Sequence, residues 1–540
     1  MLSYDFRLAA TYNREFNETH ILNSYAGAEV NSQERSSDWS EGWGMQYDNG
    51  ELPFFDYLAF KRMRERNTNY YGVSNTVNRQ IAFFATGTYS YKRRYTLTGT
   101  LRYEGSNRLG KARSARWLPT WNVATAWNMH EEEFFKKLQP AFSYLTLKAS
   151  YSLTADAGPT WVTNSRVVIN SYNPWRPSAG VAESGLRISD LENSSLTYEK
   201  KHELNIGVDM GFLDNRINLA ADWYKRNNFD LIGWTSTQGA GGQVNRMGNV
   251  ASMKSHGFEF TLSTKNIKNK GFEWSTDLIF GLSKTEVTEL NTRSFMFALI
   301  SGSGFTREGY PHRGLFSIPF VGLDEQGFPI FEISDKNNEK VLVDKNNYGT
   351  LNFQEMEHLD FLKYEGPTDP TITGSFGNIF SIKNWKLNVF VTYSAGNKVR
   401  LDPVFRSTYN DLDATPKDFK NRWRVPGDEK RTNVPAISAR RHHQLYSNLN
   451  LGYNAYNYST VRVADGGFVR MKEISLTYSL PGSLLEGKLL KSASIKVQAT
   501  NLFLIYSDKK LNGQDPEFFR SGGVSAPVPK QFTCTLRLGF

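Results

Sequence analysis

The chain has 540 residues, a formal net charge of +10 and 14% aromatic residues, and its mean hydropathy is −0.51. No run of about 18 apolar residues occurs, which excludes a transmembrane helix. The single cysteine, Cys534, excludes a disulfide framework or a cysteine-based metal site within one chain, and it should behave as a small hydrophobic residue. Many aromatics with a low mean hydropathy are typical of a transmembrane β-barrel, because only alternate strand residues face lipid.

The excess of basic residues would suit anionic partners such as lipopolysaccharide phosphates, acidic glycans or nucleic acid. The positive groups are dispersed in short clusters, such as Lys92-Arg93-Arg94 and Arg440-Arg441. Clusters of this size are typical of solvated turns and loops, so we predict no nucleic-acid partner. The alternative that the pattern leaves open is a large soluble β-sandwich or propeller.

The chain is expected to begin inside a strand. Tyr4, Phe6 and Leu8 alternate with Asp5 and Arg7. The first residues also lack the long apolar segment of a secretory signal. This combination is typical of a truncated chain or a mature fragment.

Alternation of apolar and polar residues predicts about fifteen strands along the chain. Short polar turns, such as Leu213-Asp214-Asn215-Arg216, join many of them in hairpins. The stretch from Glu131 to Leu138 predicts a brief helix within a turn. The predicted strands span 3–13, 19–32, 79–91, 93–104, 116–129, 143–154, 202–212, 216–228, 254–264, 271–288, 371–382, 384–399, 461–480, 490–505 and 528–540.

Long loops are predicted at the other ends of these strands, at roughly 33–78, 156–200, 289–370, 400–460 and 506–528. Structureless loops of this length are uncommon in compact soluble domains. Outer-membrane barrels, in contrast, have short periplasmic turns on one rim and long extracellular loops on the other. If the last strand ends in the periplasm, fifteen alternating strands put the N-terminus outside. Complete bacterial barrels usually have an even strand count, so we expect the front of the barrel to be missing.

The final strand shows the alternation most clearly. Its apolar residues are Phe532, Cys534, Leu536, Leu538 and Phe540, and its polar face carries Thr533, Thr535 and Arg537. An apolar face toward lipid and a polar face toward a lumen is the pattern of a barrel strand. A chain that ends on an aromatic residue in such a strand resembles an outer-membrane protein. That resemblance implies that Phe540 serves as a barrel-assembly signal.

No catalytic, cofactor-binding or metal-binding residue is predicted. His442-His443 lacks a paired spacing such as H-E-x-x-H. Asp411 and Asp413 could suggest Ca²⁺, but the other ligands of an EF-hand loop are missing and a solvated loop is favoured. The stretch Gly239-Ala240-Gly241-Gly242 has no strand–helix unit around it, so phosphate binding is not expected there. We therefore predict that the protein is not an enzyme.

Aromatic residues fall into two groups with different expected roles. Those in the predicted loops could stack on sugars or hold peptides, contact another protein, or pack the loops together. Packing or contact with another protein is favoured, and no substrate-binding residue is named. The loop group is Trp39, Trp43, Trp161, Tyr172 and Trp175. The group near strand ends, expected in aromatic girdles, is Trp117, Trp127, Trp223 and Tyr478.

Several longer segments occur in a characteristic order. They are YKRRYTLTGTLR (91–102) with GSNRLG (105–110), YSAGNK (393–398), ADGGFVRMKEISLTYSLP (464–481), NLF (501–503) and DPE (515–517). Together they resemble the C-terminal barrel of the SusC/RagA family of TonB-dependent outer-membrane transporters. Leu109 and Met471 stand where the family usually has Phe and Leu.

The resemblance implies an all-β protein of the cell outer membrane, a multi-pass antiparallel β-barrel. Family barrels have about twenty-two strands, so residues 1–540 would form the C-terminal portion. The N-terminal plug, the TonB box and the first strands are not visible in the sequence. Without them, this chain alone is not expected to perform gated, energy-coupled uptake.

The resemblance also implies a function and partners. The function is import of oligosaccharides or peptides, with a SusD-like surface lipoprotein as a lid and no cofactor. TonB–ExbB–ExbD would supply energy through the missing N-terminal region, and outer-membrane lipid would surround the barrel. The alternative is a plugless fragment acting as a passive pore, an adhesin or a non-functional remnant. An outer-membrane enzyme is the least favoured class.

Overall fold

The computed structural model describes residues 1–41, 45–46, 54–66, 68, 70–109, 112–139, 141–158, 168–172, 185–193, 196–237, 239, 245–292, 294–334, 337, 339–353, 359–409, 415–486, 489–517 and 529–540. Its contacts divide the chain into two compact units. The first comprises Met1–Trp127, Ala149–Leu204 and Asn227–Ser252, and the second comprises Asn128–Lys148, Asn205–Arg226 and Met253–Phe540. No helix in the described part of the chain has the length and apolar character needed to cross a membrane.

A large antiparallel sheet of fifteen strands dominates the described residues, and its strands are hydrogen-bonded to one another in sequence order. The strands are β1 (Leu2–Phe16), β2 (His20–Ser40), β3 (Tyr71–Tyr91), β4 (Tyr95–Ser106), β5 (Trp117–Asn128), β6 (Phe142–Asp156), β7 (Glu199–Phe212), β8 (Ile217–Ser236), β9 (Asn245–Lys268), β10 (Phe272–Leu290), β11 (Ile372–Ile382), β12 (Trp385–Ala395), β13 (Phe468–Ser479), β14 (Ser492–Ser507) and β15 (Gln531–Gly539). Each predicted strand corresponds to one of these, so the predicted all-β class and strand count are confirmed.

Shorter elements connect these strands. Short strands span Met45–Gln46, Phe54–Phe55, Val168–Tyr172, Gly185–Asp190, Gly314–Ser317, Phe320–Leu323, Pro329–Ser334, Lys340–Val343, Lys363–Pro367, Lys398–Arg400 and Val463–Asp465. The α-helices are Tyr57–Glu65, Arg113–Arg116, Met296–Ile300, Arg440–Leu445 and Leu449–Asn457. The 3₁₀ helices are Met129–Glu131, Glu133–Leu138, Tyr348–Leu351, Lys417–Asn421, Asp428–Lys430, Thr460–Arg462, Gly482–Leu484 and Lys509–Leu511.

The register of the last hairpin shows how alternation sets the two faces. Val497 of β14 lies opposite Cys534 of β15, and Ile495 lies opposite Leu536. Lys496, between them, lies opposite Thr535. Cross-strand neighbours share a face, so one face of this hairpin is apolar and the other polar. Cys534 is exposed on the apolar face.

Tight turns use residues with left-handed backbone conformations. Lys92 and Arg93 between β3 and β4 have φ angles of 53° and 57°, and Lys383 between β11 and β12 has a φ of 52°. Positive φ in a short hairpin turn matches the right-handed twist of the flanking strands. The predicted turn helix is also present, as two 3₁₀ helices that bury Phe135.

Two predicted strands are shorter than expected. The strand predicted at 384–399 ends at Ala395, and Gly396 directly after it has a φ of 85°. The strand predicted at 461–480 begins only at Phe468. The residues beyond each break form a separate pair, Lys398–Arg400 with Val463–Asp465.

The long loops predicted at 289–370 and 400–460 connect strands of the large sheet, and they carry secondary structure of their own that the sequence did not predict. Residues 296–367 and 398–465, here called the loop body, carry short strands and helices around a hydrophobic core of their own. The fully buried side chains of this core include Leu299, Ile300, Phe316, Phe328, Phe331, Tyr348, Leu351 and Tyr453. Strands β2 and β3 also extend into the predicted loop 33–78, pairing as far as Ser40 with Tyr71.

Candidate functional site

Charged side chains are linked across the polar face of the first four strands. Arg7 of β1 donates hydrogen bonds to Glu29 of β2 at 3.1 and 2.6 Å. Arg102 of β4 donates to the other oxygen of Glu29, and to Glu104 at 2.6 Å. Ala82 of β3 lies in register between Glu29 and Glu104, and its small side chain leaves room for the bridge. The face therefore presents fixed, mutually paired charges.

Neutral polar groups continue the same face. Thr86 and Thr88 of β3 share hydrogen bonds with Thr100 and Thr98 of β4 at 3.3 and 3.1 Å. The second unit repeats the chemistry on β13 and β14, where Glu473 pairs with Lys496 at 3.5 Å. Such a surface offers hydroxyls and paired ions to a polar solute. Phe84 of β3 lies on the same face, with the Arg7 guanidinium 5.5 Å from the centre of its ring.

Two of the segments singled out in the sequence meet at Arg470. Its Nη2 donates to both oxygens of Asp515 at 2.6 Å and lies 2.8 Å from Glu517. The side chains of Arg470 and Asp515 are 5% and 8% exposed. The DPE segment is therefore held on β13 by a buried, charge-assisted contact.

The YSAGNK segment and the start of the 464–481 segment are joined nearby in the second unit. Gly466 N–H donates to the Asn397 carbonyl at 3.0 Å, and Asp465 N–H donates to Asp508 at 2.8 Å. Burial opposes ionisation of Asp508, but hydrogen bonds from the Lys510 and Asp465 N–H groups outweigh it and lower the pKa of Asp508. Leu511 packs with apolar residues of the Lys398–Arg400 and Val463–Asp465 pair. The segments are thus one structural unit that ties the loop after β14 to the loop body.

The GSNRLG segment fastens strand ends in the first unit. Asn107 exchanges two hydrogen bonds with the backbone of Arg79, at 2.9 and 3.1 Å, and donates to Val77 O. Arg108 Nη2 donates to Gly158 O at 2.7 Å, and Leu109 is buried. The segment therefore has a structural role.

Two buried arginines stabilise the loop body. Arg400, fully buried, donates to the carbonyls of Ile300, Ser459 and Phe316 and to the Ser317 hydroxyl. Burial lowers the pKa of Arg400 below its ordinary value. Arg462 contacts Asp418 at 3.4 Å and lies over the ring of Phe405.

The structure places few of the predicted ligand-contacting aromatics. Trp39 lies on β2 opposite Gly72 of β3, and its indole covers that glycine. Tyr172 ends a short strand. Trp43, Trp161 and Trp175 lie outside the described residues. Packing of Trp39 against Gly72 fits the favoured interpretation, and ligand contact stays untested.

Of the four aromatics expected in girdles, Trp117, Trp127 and Tyr478 pair with other rings at strand ends, whereas Trp223 lies within β8. Trp117 stacks on Tyr103 at 5.1 Å between ring centroids, and Trp127 stacks on Tyr95 at 6.1 Å. Tyr478 lies 4.5 Å from Trp385. Their placement at the ends of β4, β5, β12 and β13 is consistent with girdles.

The remaining sequence candidates have local roles or are not described. His442 Nδ1 accepts from the Ala439 N–H at 3.1 Å, and His443 Nε2 lies 2.9 Å from the Ser438 hydroxyl. Asp411 and Asp413 lie outside the described residues, as do residues 240–242 of the glycine-rich stretch. Over the described ranges, no three His, Cys, Asp or Glu side chains gather as metal ligands would. Phe540 follows β15 and is 70% exposed; its role as an assembly signal stays a prediction.

Sequence reasoning missed the buried arginines Arg400, Arg462 and Arg470. Arg470 had a usable signal, because it lies in one recognised segment and the acidic pair Asp515 and Glu517 lies in another. Arg400 had none, since its acceptors are three backbone carbonyls and one hydroxyl that lie between 59 and 100 residues away in the sequence.

The alternating sheet, with a polar face of paired ions and an apolar face that ends in aromatics, defines an outer-membrane β-barrel protein. Residues 2–454 match the family described as "TonB dependent receptor-like, beta-barrel". The chain belongs to this family, and it is an outer-membrane protein.

Relatives and solved structures agree with the family. The chain is 25% identical to TonB-dependent receptor P39 of Formosa agariphila, over 97% of this chain and 51% of the relative. It is also 25% identical to TonB-dependent receptor SusC of Bacteroides thetaiotaomicron, over 88% of this chain and 44% of the relative. The structure of the RagAB peptide transporter shares the fold, with a TM-score of 0.76 at 22% identity, over 100% of this chain and 55% of that one. The resemblance to SusC/RagA proteins is confirmed, and the chain spans about half the length of the curated relatives it matches.

Proposed function

We propose that this chain is the C-terminal portion of the barrel of a SusC-like, TonB-dependent transporter that imports oligosaccharides or peptides. The observation that carries the proposal is the joining of the family segments around Arg470, because the fold positions them as one unit. The half-length match to the relatives supports a plug and first strands encoded outside these residues. The polar face, with its hydroxyls and paired ions, suits passage of a hydrophilic solute.

The partners follow from the same proposal. A SusD-like lipoprotein would cover the extracellular end, and TonB–ExbB–ExbD would act through the region outside this chain. Similarity to SusC and to the RagAB peptide transporter supports partners of these kinds and leaves the substrate open between glycan and peptide. Phe540 would act as the barrel-assembly signal.

The first test is the DNA immediately upstream of the Met1 codon. An in-frame extension encoding a signal, a TonB box and a plug supports the transporter. A genuine stop and start there overturns it and favours the alternative of a passive pore, an adhesin or a non-functional remnant.

Uptake measurements complete the test. In-frame deletion of this coding region in the source bacterium should abolish uptake of a labelled oligosaccharide or peptide pool, and a protonophore should have the same effect. Uptake that survives the deletion contradicts the proposal. Conductance of the purified chain in planar bilayers, without TonB, supports the pore instead.

A further inference from the structure

Three neighbouring strands of the second unit change from apolar to basic residues at the same level of one face. On β8 the change is from Trp223 to Lys225, and on β10 from Leu282 to Lys284. On β9, Phe258 is followed toward the strand start by His256 and then by Lys254. Trp223 and Phe258 are 39% and 37% exposed, and all four basic side chains are exposed.

Contacts on the opposite face establish that the level is shared. Tyr224 of β8 donates a hydrogen bond to Ser283 of β10 at 3.0 Å, reaching across Gly257 of β9. Thr285 of β10 also donates a hydrogen bond to Ser255 of the neighbouring strand β9 at 3.4 Å. Because successive side chains of a strand alternate between faces, Lys225, His256 and Lys284 lie together on the outward face.

The position of the change fits the edge of a membrane. Along β8, Ile217, Leu219, Ala221 and Trp223 face outward before Lys225. Eight residues of a tilted strand rise about 20 Å, close to the apolar band of about 25 Å of an outer-membrane barrel. Aromatic residues such as Trp223 are enriched at the lipid–water interface. The lysines therefore lie at the level of lipid headgroups.

The lysines are available to a ligand. Within the described residues, none of the ammonium groups of Lys225, Lys254 and Lys284 takes part in an ion pair or hydrogen bond. Two carboxylates lie nearby. Asp369 is paired with Arg313 at 3.2 Å, and the negative charge of Glu286 compensates the positive charge of one lysine. The local charge stays positive.

A cavity that could hold part of a ligand lies beside these residues. It encloses about 580 Å³ and is lined by Lys254, His256 and Lys284 together with Pro311, Tyr364 and Pro367. Basic groups beside apolar walls suit an amphiphile with an anionic head. Basic pockets at a membrane surface bind such headgroups.

We propose that Lys225, Lys254, His256 and Lys284 with this cavity form a binding site for a phosphate-bearing lipid of the outer membrane. The lysines bind the phosphate, and Pro311, Tyr364 and Pro367 contact the uncharged part of the lipid. The three lysines lie on the face opposite to the polar surface proposed to conduct solute, and Ser283 and Thr285 of that polar face also line the cavity.

The test is native mass spectrometry of the purified chain in detergent, titrated with diphosphorylated lipid A, its dephosphorylated form, or inorganic phosphate. We expect retention of the phosphorylated lipid only. The variant Lys225→Gln/Lys254→Gln/Lys284→Gln should bind it about 100-fold more weakly, from the effect of a surface lysine on anionic lipid. The control Lys268→Gln/Lys270→Gln/Lys383→Gln removes three exposed lysines, two from the far end of the β9–β10 hairpin and one from the turn between β11 and β12, and should bind as the parent does.

Several results would overturn the proposal. Equal binding by the triple variant and the parent would show that the lysines do not bind the lipid. Equal binding of phosphorylated and dephosphorylated lipid would show that the phosphate is not recognised. Displacement of lipid by millimolar inorganic phosphate assigns the site to a soluble anion. If the triple variant fails to fold, the double variant Lys254→Gln/Lys284→Gln and the salt dependence of parental binding decide the same question.

Discussion

Replacement of Arg470 by Met should strongly destabilise the region that joins the family segments. The change removes a guanidinium that is 5% exposed and leaves the carboxylate of Asp515, 8% exposed, without its partner. Breaking a buried ion pair from one side costs about 3–5 kcal/mol. We expect a loss of that size in the free energy of unfolding, because Asp515 cannot reach water without moving the loop. Glu517, 45% exposed, can rotate into solvent and adds little.

The assay is urea unfolding of the refolded chain in detergent, followed by tryptophan fluorescence, with hydrogen exchange of residues 508–517 as a local readout. The control is Lys340→Met, which breaks an exposed pair with Glu332 of 2.7 Å and should cost about 0–1 kcal/mol. The double variant Arg470→Met/Asp515→Leu should recover much of the loss, because no buried charge then remains. A loss below about 1 kcal/mol in Arg470→Met, with unchanged exchange at 508–517, would refute the reasoning.

Three further predictions concern other parts of the chain. Arg400→Lys should lower the free energy of unfolding by about 2 kcal/mol or more, because one ammonium cannot supply the four hydrogen bonds of the guanidinium. A loss below about 0.5 kcal/mol in the same urea assay, which is the size expected of a surface substitution, would contradict this. Burial lowers the pKa of His312, although the charge of Asp369 acts in the opposite direction. Below about pH 6.5 the unfolded chain therefore protonates this histidine more readily than the folded chain does, and the free energy of unfolding should fall as the pH drops. His312→Gln should flatten that pH dependence, and an unchanged slope would count against it. Deletion of Phe540, which is 70% exposed, should leave the stability of the refolded protein within about 0.5 kcal/mol but reduce the heat-modifiable, membrane-assembled fraction in cells; normal assembly would remove its role as a signal.

The strands could be predicted because each carries its own signal. Alternation needs only neighbouring residues, and β15 shows it from Phe532 to Leu538 without interruption. The errors occurred where one residue overrides the pattern. Gly396, with its φ of 85°, ends β12 inside a run that otherwise continues to alternate.

The loop body could not be predicted from local pattern. Its core side chains come from short elements without a sustained period, such as Phe331, Tyr348 and Tyr453. Tyr348 is fully buried and donates a hydrogen bond to Pro329 O, and Tyr453 donates to Ala436 O. Aromatic residues in a loop-like sequence suggest surface groups, whereas here many of them make a core. Contacts of this kind join residues that are far apart in sequence, and the local pattern of a single sequence does not reveal them.

The distribution of charge partners separates the two faces of the sheet. On the polar face, Lys148 pairs with Asp209 at 2.8 Å and Lys496 with Glu473 at 3.5 Å, as Arg7 does with Glu29. On the outward face above the apolar band, Lys225, Lys254 and Lys284 have no such partners in the described chain. Ion pairing within the protein fixes the side chains and cancels most of their electrostatic field, so little attraction remains for an ionic ligand. Unpaired lysines beside a low-dielectric lipid phase keep their electrostatic field. In the proposed transporter, the polar face would let solutes pass without holding them, and the outward lysines would hold an anionic lipid of the surrounding membrane.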